Sequence, residues 1–114
     1  MRSKLPIIAA MASVAIGFPL QAQTQQMHNR SEIIGVIAVA QCHLNAGNIT
    51  EEGARQVVQD VIEDKPYLKL AYSWAINSSN ARAAIDGLAP TLGPNCNSGV
   101  IEEVVENLIL PNLN

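Results

Sequence analysis

The residues best suited to chemistry are Cys42 and His43, which stand side by side in the segment AVAQCHLNAG at residues 38–47. The chain has one other cysteine, Cys96, and one other histidine, His28. Three kinds of chemistry are open to such a pair: catalysis by a thiol with an imidazole base, metal ligation, and disulfide formation. Catalysis requires a base within reach of the sulfur, metal ligation requires further ligands around it, and a disulfide requires the second cysteine beside it.

Thiol catalysis and metal ligation fit the spacing poorly. Neighbouring side chains on a helix point about 100° apart, so His43 is badly placed to take the proton of Cys42. A closed zinc site needs four ligands, and the two cysteines with His43 supply three at most. Haem attachment requires C-x-x-C-H, and the segment VAQCH lacks the first cysteine. The sequence therefore predicts no catalytic, cofactor-binding or metal-binding residues.

The N-terminal segment has the layout of a secretory signal peptide. Arg2 and Lys4 form a positive start, residues 5–18 are apolar, and Pro19 breaks the run before a small-residue site that ends at Ala22. The apolar run is shorter than the roughly 20 residues that a membrane-spanning helix needs. We therefore expect cleavage after Ala22, export to the periplasm or the extracellular space, and no membrane span in the mature protein.

The expected organisation is a signal peptide at 1–22, a flexible leader at 23–30 and a single helical domain at 31–114. Removal of the first 22 of the 114 residues leaves 92, which is enough for one small domain. Loss of Arg2 and Lys4 moves the formal net charge from −3 to −5. This acidic balance argues against nucleic acid as a partner, because phosphate backbones attract basic patches.

Two cysteines in an exported chain predict a disulfide between Cys42 and Cys96. A small domain buries limited apolar surface and gains from a covalent link. The link closes a long loop, which is worth about 4 kcal/mol on the chain-entropy model. Such a bond also removes both thiols from chemistry. The alternative, a Cys-dependent hydrolase or redox protein, requires a free thiol at Cys42.

Hydrophobic periodicity predicts an all-α bundle of four or five short helices, stapled by the disulfide. The first helix should begin at a Ser31 cap and be buried, since its apolar side chains cover every side. The second should begin at a Thr50 cap and the third at Pro66, with Asp64 as its cap. The fourth either continues the third or is separate, and it should stop at Pro90.

The helical period also predicts which side chains face the core. In the second, fourth and last helices, the inward residues are Ala54, Val57, Val58, Val61 and Ile62; Ala81, Ala84, Ile85 and Leu88; and Ile101, Val104, Val105 and Leu108. The Gly/Pro/Asn-rich segment before the last helix reads as a loop that holds Cys96.

The aromatic residues of the mature chain are concentrated in the third helix, where Tyr67, Tyr72 and Trp74 lie within eight residues. Core packing is their default role. The alternative is a binding surface, since tyrosine and tryptophan supply a large contact area with a polar group. On this alternative the binding face consists of Tyr67, Leu70, Ala71 and Trp74. Its partner is an unknown protein, a second copy of the chain or a small apolar ligand.

In size, export and its pair of cysteines, the chain is similar to the acid-stress periplasmic chaperones of the HdeA type. No motif around Cys42 or Cys96 matches that family, so the similarity concerns architecture and carries no residue roles across. The sequence favours a small exported, non-enzymatic helical protein that acts by binding a protein or a ligand. Besides the Cys-dependent enzyme, the remaining alternative is a carrier of an apolar small molecule held between the helices.

Overall fold

Helices account for all regular structure in residues 20–114, the part of the chain that the structure, a computed structural model, describes. Side chains are described from residue 24 onward. The signal peptide predicted for residues 1–22 lies almost wholly outside this part. For the described residues, the predicted all-α fold with one disulfide is confirmed.

Five α-helices follow one another along the described chain: α1 (Leu20–Asn45), α2 (Glu51–Asp64), α3 (Lys69–Asn77), α4 (Ser79–Leu88) and α5 (Glu102–Val104). Short 3-10 turns lie directly before α3 and directly after α4, at Pro66–Leu68 and Ala89–Leu92. After α5 the chain continues as a π-helical turn and a 3-10 turn, at Val105–Ile109 and Leu110–Asn112. We call residues 102–112 the C-terminal helical segment.

Helix α1 is the central element, as its all-round apolar pattern predicts. Helices α2, α3 and α4 all pack against it. Ile34 and Ala38 belong to a core cluster shared with α4 and the C-terminal helical segment, whereas Ile33 and Ala40 belong to a second cluster shared mainly with α2 and α3. Because successive side chains of a helix point in different directions, one helix supplies both clusters. Among the described residues, no polar or charged side chain is buried.

Helix α1 begins earlier than predicted. The structure continues the helix through residues 23–30, where a leader was expected, so Ser31 is an interior residue and its assignment as an N-cap is wrong. Arg30, the last residue of the expected leader, makes two distant contacts. Its guanidinium lies 4.6 Å from the centre of the Trp74 ring and donates a hydrogen bond of 2.7 Å to the carbonyl oxygen of Leu113. These contacts hold the helical turn that precedes Ser31 against the body of the protein.

Side-chain caps set the start of α2 and separate α3 from α4. The predicted cap at Thr50 is confirmed, because its Oγ1 accepts a hydrogen bond of 3.0 Å from the backbone N–H three residues later. Ser78 has extended backbone, and its Oγ accepts a similar bond of 3.1 Å, so α3 and α4 are two helices. The predicted cap at Asp64 is wrong, since Lys65 occupies the cap position before Pro66 and makes no capping hydrogen bond with its side chain.

The predicted inward faces of α2 and α4 are largely confirmed. All four predicted residues of α4 are buried. The helix ends at Leu88, and Pro90 lies within the 3-10 turn that extends it. In α2, Val58 and Ile62 are buried, but Val57 is 42 % exposed and does not belong to the core.

The predicted inward face of the last helix is wrong at its beginning. Ile101 is 60 % exposed, whereas Ile109 and Leu113 are buried. The π-helical turn at Val105–Ile109 explains part of the difference. Its hydrogen bonds span five residues where an α-helix spans four, so the turn changes which side chains face inward.

The disulfide joins α1 to the loop that leads into the C-terminal helical segment. The sulfur atoms of Cys42 and Cys96 are bonded, their Cα atoms are 5.8 Å apart, and both residues are buried in the cluster shared with α4. The loop reaches this position through left-handed backbone: φ is +83° at Gly93 and +56° at Cys96. Glycine adopts such a φ without steric cost.

We expect Gly93→Ala to lower the free energy of unfolding by about 1–3 kcal/mol, the usual cost of left-handed strain. A Cβ at this position would also lie 2.5 Å from Oγ of Ser98. Urea denaturation of the oxidised protein measures the loss. Gly99→Ala in the same loop is the matched control, because a Cβ there has nothing within 4 Å. Equal stability of the two variants would contradict a conformational requirement at Gly93.

We expect the double variant Cys42→Ala, Cys96→Ala to lose up to about 4 kcal/mol of stability, since the bond closes a loop with a sequence separation of 54 residues. The midpoint of urea denaturation, followed by circular dichroism, measures the loss. The intact mass of the wild type after treatment with an alkylating reagent serves as the control and should be unchanged without prior reduction. A denaturation midpoint equal to that of the wild type would show that the bond contributes no stability.

Candidate functional site

The segment of residues 66–77, which carries the aromatic residues, has a groove on either side. On one side, the N-terminal half of α1 faces Tyr67, Leu70 and Ala71 across a groove of about 320 Å³. On the other side, Tyr72 and Ala75 line a cavity of about 230 Å³ that α1, α2 and α4 complete. We call the first the Leu70 groove and the second the inter-helix cavity.

The Leu70 groove has two chemically different walls. The wall from the 66–77 segment is formed by Tyr67, Leu70 and Ala71, and the wall from α1 by Gln25, Gln26, Asn29 and Arg30. The groove therefore contains three of the four residues that the sequence analysis assigned to a binding face. Leu70 is 86 % exposed and Tyr67 is 51 % exposed, whereas Ala71 is buried between them.

Trp74, the fourth residue of that predicted face, has a different environment. It is half-buried and packs against both core clusters. Its Nε1 donates a hydrogen bond of 3.1 Å to the carbonyl oxygen of Asn114, and Arg30 lies over its ring. Trp74 thus connects α1, α3 and the last described residues of the chain, and it is not among the residues that line the Leu70 groove.

A hydrogen-bonded cluster holds Tyr67 at the edge of the Leu70 groove. The Tyr67 hydroxyl donates to the Glu32 carboxylate at 3.1 Å, and Nζ of Lys65 donates to the same carboxylate at 3.1 Å. The hydrogen bond to Glu32 is the main reason that the pKa of Lys65 is raised above its ordinary value. The pKa of Tyr67 is raised first by partial burial and then by its hydrogen bond to Glu32.

The inter-helix cavity is apolar inside and charged at its rim. Its apolar lining comes from four helices and consists of Ile37, Ala40, Leu44, Ala54, Val58, Tyr72, Ala75, Ile76 and Ile85. The polar lining consists of Gln41, Glu51, Arg55 and Arg82. Each arginine pairs with an acid one helical turn away on its own helix, Arg55 with Glu51 at 4.0 Å and Arg82 with Asp86 at 3.2 Å.

Cys42 and His43 do not form a site with each other. Cys42 is bonded to Cys96, and Nδ1 of His43 lies 3.2 Å from the side-chain amide nitrogen of Asn48. Within residues that the structure describes, no group of three histidine, cysteine or acidic side chains is arranged to hold a metal ion. The helices of the same range also include none with the length and apolarity to cross a membrane.

Comparison of the chain with protein-family models, with curated proteins and with solved structures gives no match. The similarity to chaperones of the HdeA type accordingly stays one of size, predicted export and cysteine pairing. Any function has to be argued from the geometry of the two grooves.

Sequence reasoning missed the arginines of both grooves. The partners of Arg30 are 44 and 83 residues away along the chain, so no local pattern could reveal them. Arg55 and Arg82 each have an acid four residues away, which is visible in the sequence as helix-surface pairing. That pattern does not indicate that the two helices place both guanidinium groups at one cavity.

We expect the phenol of Tyr67 to ionise above its ordinary pKa of 10.0. The variant Tyr72→Phe leaves Tyr67 as the single tyrosine, so the absorbance of tyrosinate during an alkaline titration reports its pKa directly. In this background, Glu32→Gln should lower the pKa of Tyr67. The pKa should still stay above 10.0, because the partial burial of Tyr67 persists. Glu63→Gln, which removes an exposed acid elsewhere, is the control and should change nothing.

The sign of the pH dependence follows from the raised pKa. A group with a raised folded-state pKa stabilises the fold below its unfolded pKa, and this contribution is lost as the pH rises through the folded value. For Tyr67 the loss should therefore begin above about pH 10.0. A titration in which Glu32→Gln raises the Tyr67 pKa would contradict the hydrogen bond between the two side chains.

Proposed function

We propose that the protein is a small exported, non-enzymatic domain that binds an apolar segment of another polypeptide in the Leu70 groove. The observation that carries the proposal is the exposure of Leu70 at 86 % beside an exposed Tyr67, at the mouth of a concave surface. A single exposed leucine is common on protein surfaces. An exposed tyrosine beside an apolar side chain at a groove is typical of an interface, since tyrosine is enriched at interfaces and among the residues that contribute most to binding.

The α1 wall of the groove favours a polypeptide over an apolar small molecule. Gln25, Gln26 and Asn29 present amide groups, which both donate and accept hydrogen bonds and so match the N–H and C=O groups of a peptide backbone. Gln25 already donates to Oδ1 of Asn29 at 2.9 Å. An amide carries two donors and an acceptor, so one internal bond leaves capacity for a partner. An apolar small molecule would cover these amides without satisfying them.

The fixed position of Tyr67 adds to this argument. Its hydroxyl is held by Glu32, and the same carboxylate is held by Lys65. A side chain that is already restrained loses less conformational entropy when a partner covers it. Full burial of the Leu70 side chain would contribute about 1.5–3 kcal/mol, a large term for a small interface.

The disulfide and the N-terminal sequence support the remaining parts of the proposal. A cysteine pair bonded in this way is typical of oxidising compartments, which agrees with the export signal read from residues 1–22. Both sulfur atoms are bonded to each other, which favours a binding role over thiol chemistry. A second copy of the chain is an alternative occupant of the groove, and the experiment below separates it from a different polypeptide.

We expect a photo-crosslinking amino acid at position 70 to capture a polypeptide partner in the cells that produce the protein, because position 70 would lie at the centre of the contact. Mass spectrometry of the crosslinked species identifies it. The matched control is the same amino acid at position 57, an exposed apolar position on α2. Tyr67→Ser should reduce the capture at position 70, since it removes the other half of the apolar contact.

Equal capture at positions 57 and 70 would contradict the proposal. Capture of a second copy alone would also contradict it and would assign the groove to self-association. Sedimentation equilibrium of the wild type and of Leu70→Glu checks that outcome, because a dimer that depends on this face should dissociate in the variant.

A further inference from the structure

We infer that the inter-helix cavity is a second binding site, which takes a small apolar molecule that ends in one carboxylate, such as a medium-chain fatty acid. The site is separate from the Leu70 groove, since the two open on opposite sides of the 66–77 segment and share no lining residue. The inference therefore does not depend on the proposed polypeptide partner. It rests on the size of the cavity, its apolar walls and the charges at its rim.

The volume of the cavity limits the apolar part of the ligand. A cavity of about 150 Å³ lined by apolar side chains holds benzene, so the 230 Å³ here suits a small aromatic group or a chain of roughly eight carbons. The walls include Val58, Ala75 and Ile85, which are buried in the core clusters. An apolar tail placed against them would be removed from water, which stabilises binding in proportion to the area that is buried.

The rim of the cavity carries the side chains that would hold the carboxylate. Arg55 on α2 and Arg82 on α4 supply two positive charges from different helices, and Glu51 supplies one negative charge. Asp86 pairs with Arg82 at 3.2 Å from outside the lining, so the two arginines are balanced by two acids. The rim therefore offers a carboxylate two guanidinium groups and no net charge. A guanidinium group matches the geometry of a carboxylate, because its N–H donors form a planar fork.

Both arginines are available to a ligand. Their side chains are 64 % and 54 % exposed, and each pairs with an exposed acid on its own helix. Exposed ion pairs of this kind contribute little stability. A guanidinium carries five N–H donors, so Arg55 or Arg82 could keep its present partner and still bind a carboxylate. The cavity therefore combines apolar walls with two guanidinium groups that have donors to spare, an arrangement that favours an amphiphile ending in a carboxylate over one ending in a neutral group.

The experiment compares sodium octanoate with 1-octanol, which has a chain of the same length and no charge. The full mature protein with its disulfide intact is titrated with each compound, and amide chemical shifts are recorded by NMR. Octanoate should shift the amide signals of residues that line the cavity, among them Ala40, Ala54 and Ala75. Octanol should bind about tenfold more weakly, as expected when a charge-assisted hydrogen bond is lost.

The variant Arg82→Gln should weaken octanoate binding about tenfold and leave octanol binding unchanged. Lys69→Gln is the matched control, because it removes a positive charge from an exposed position that does not line the cavity. Ala54→Leu should reduce the binding of both compounds, since it fills part of the cavity. The arginine variant keeps the test decisive even if Ala54→Leu fails to fold, because Arg82 is exposed and outside the core.

Two results would overturn the inference. One is the absence of shifts at the cavity with octanoate at millimolar concentration. The other is equal affinity for octanoate and octanol, which would show that the cavity does not recognise a carboxylate. Either result leaves the Leu70 groove unaffected, because crosslinking at position 70 tests that surface separately.

Discussion

Burial of the apolar part of α1, residues 33–42, is the constraint on which the rest of the structure depends. A helix with apolar side chains in every direction cannot rest on one neighbour, so it needs packing partners around it. Helices α2, α3 and α4 provide them, and the C-terminal helical segment closes the remaining side. The two core clusters are the two sides of this one helix. Both grooves are bordered by α1, because the short helices around it do not meet everywhere along its length.

The 66–77 segment carries both core residues and the exposed residues that border the two grooves. Within the 66–77 segment, Leu68, Ala71 and Ala75 are buried, whereas Tyr67, Leu70 and Ile76 are exposed at 51–86 %. The buried residues attach the segment to α1, and the exposed residues are held at fixed positions by that attachment. Trp74 contributes to the attachment through Arg30 and the last residues of the chain. A binding surface on such a rigid support loses little entropy when it is covered.

The sequence predicted those features that depend on local patterns. The apolar period of α4 gave its buried face, the cap at Thr50 gave the start of α2, and the pair of cysteines gave the disulfide. The attachment of the helical turn before Ser31 was missed because Arg30, which makes it, has partners that lie 44 and 83 residues away. The buried face at the end of the chain was missed because a π-helical turn interrupts the α-helical period. The two grooves depend on distances between helices, which no single helix encodes, although Tyr67, Leu70 and Ala71 were named from the aromatic pattern.

The bond between Cys42 and Cys96 divides the chain into a closed ring and two tails. The ring contains α2, α3 and α4, and the tails include the part of α1 before Cys42 and the C-terminal helical segment, which leave the ring at the same point. Arg30 of one tail contacts Leu113 of the other. A protease that cut the exposed backbone around Asn77 would open the ring without releasing a fragment. The two pieces of such a nicked molecule would remain covalently joined until the disulfide is reduced.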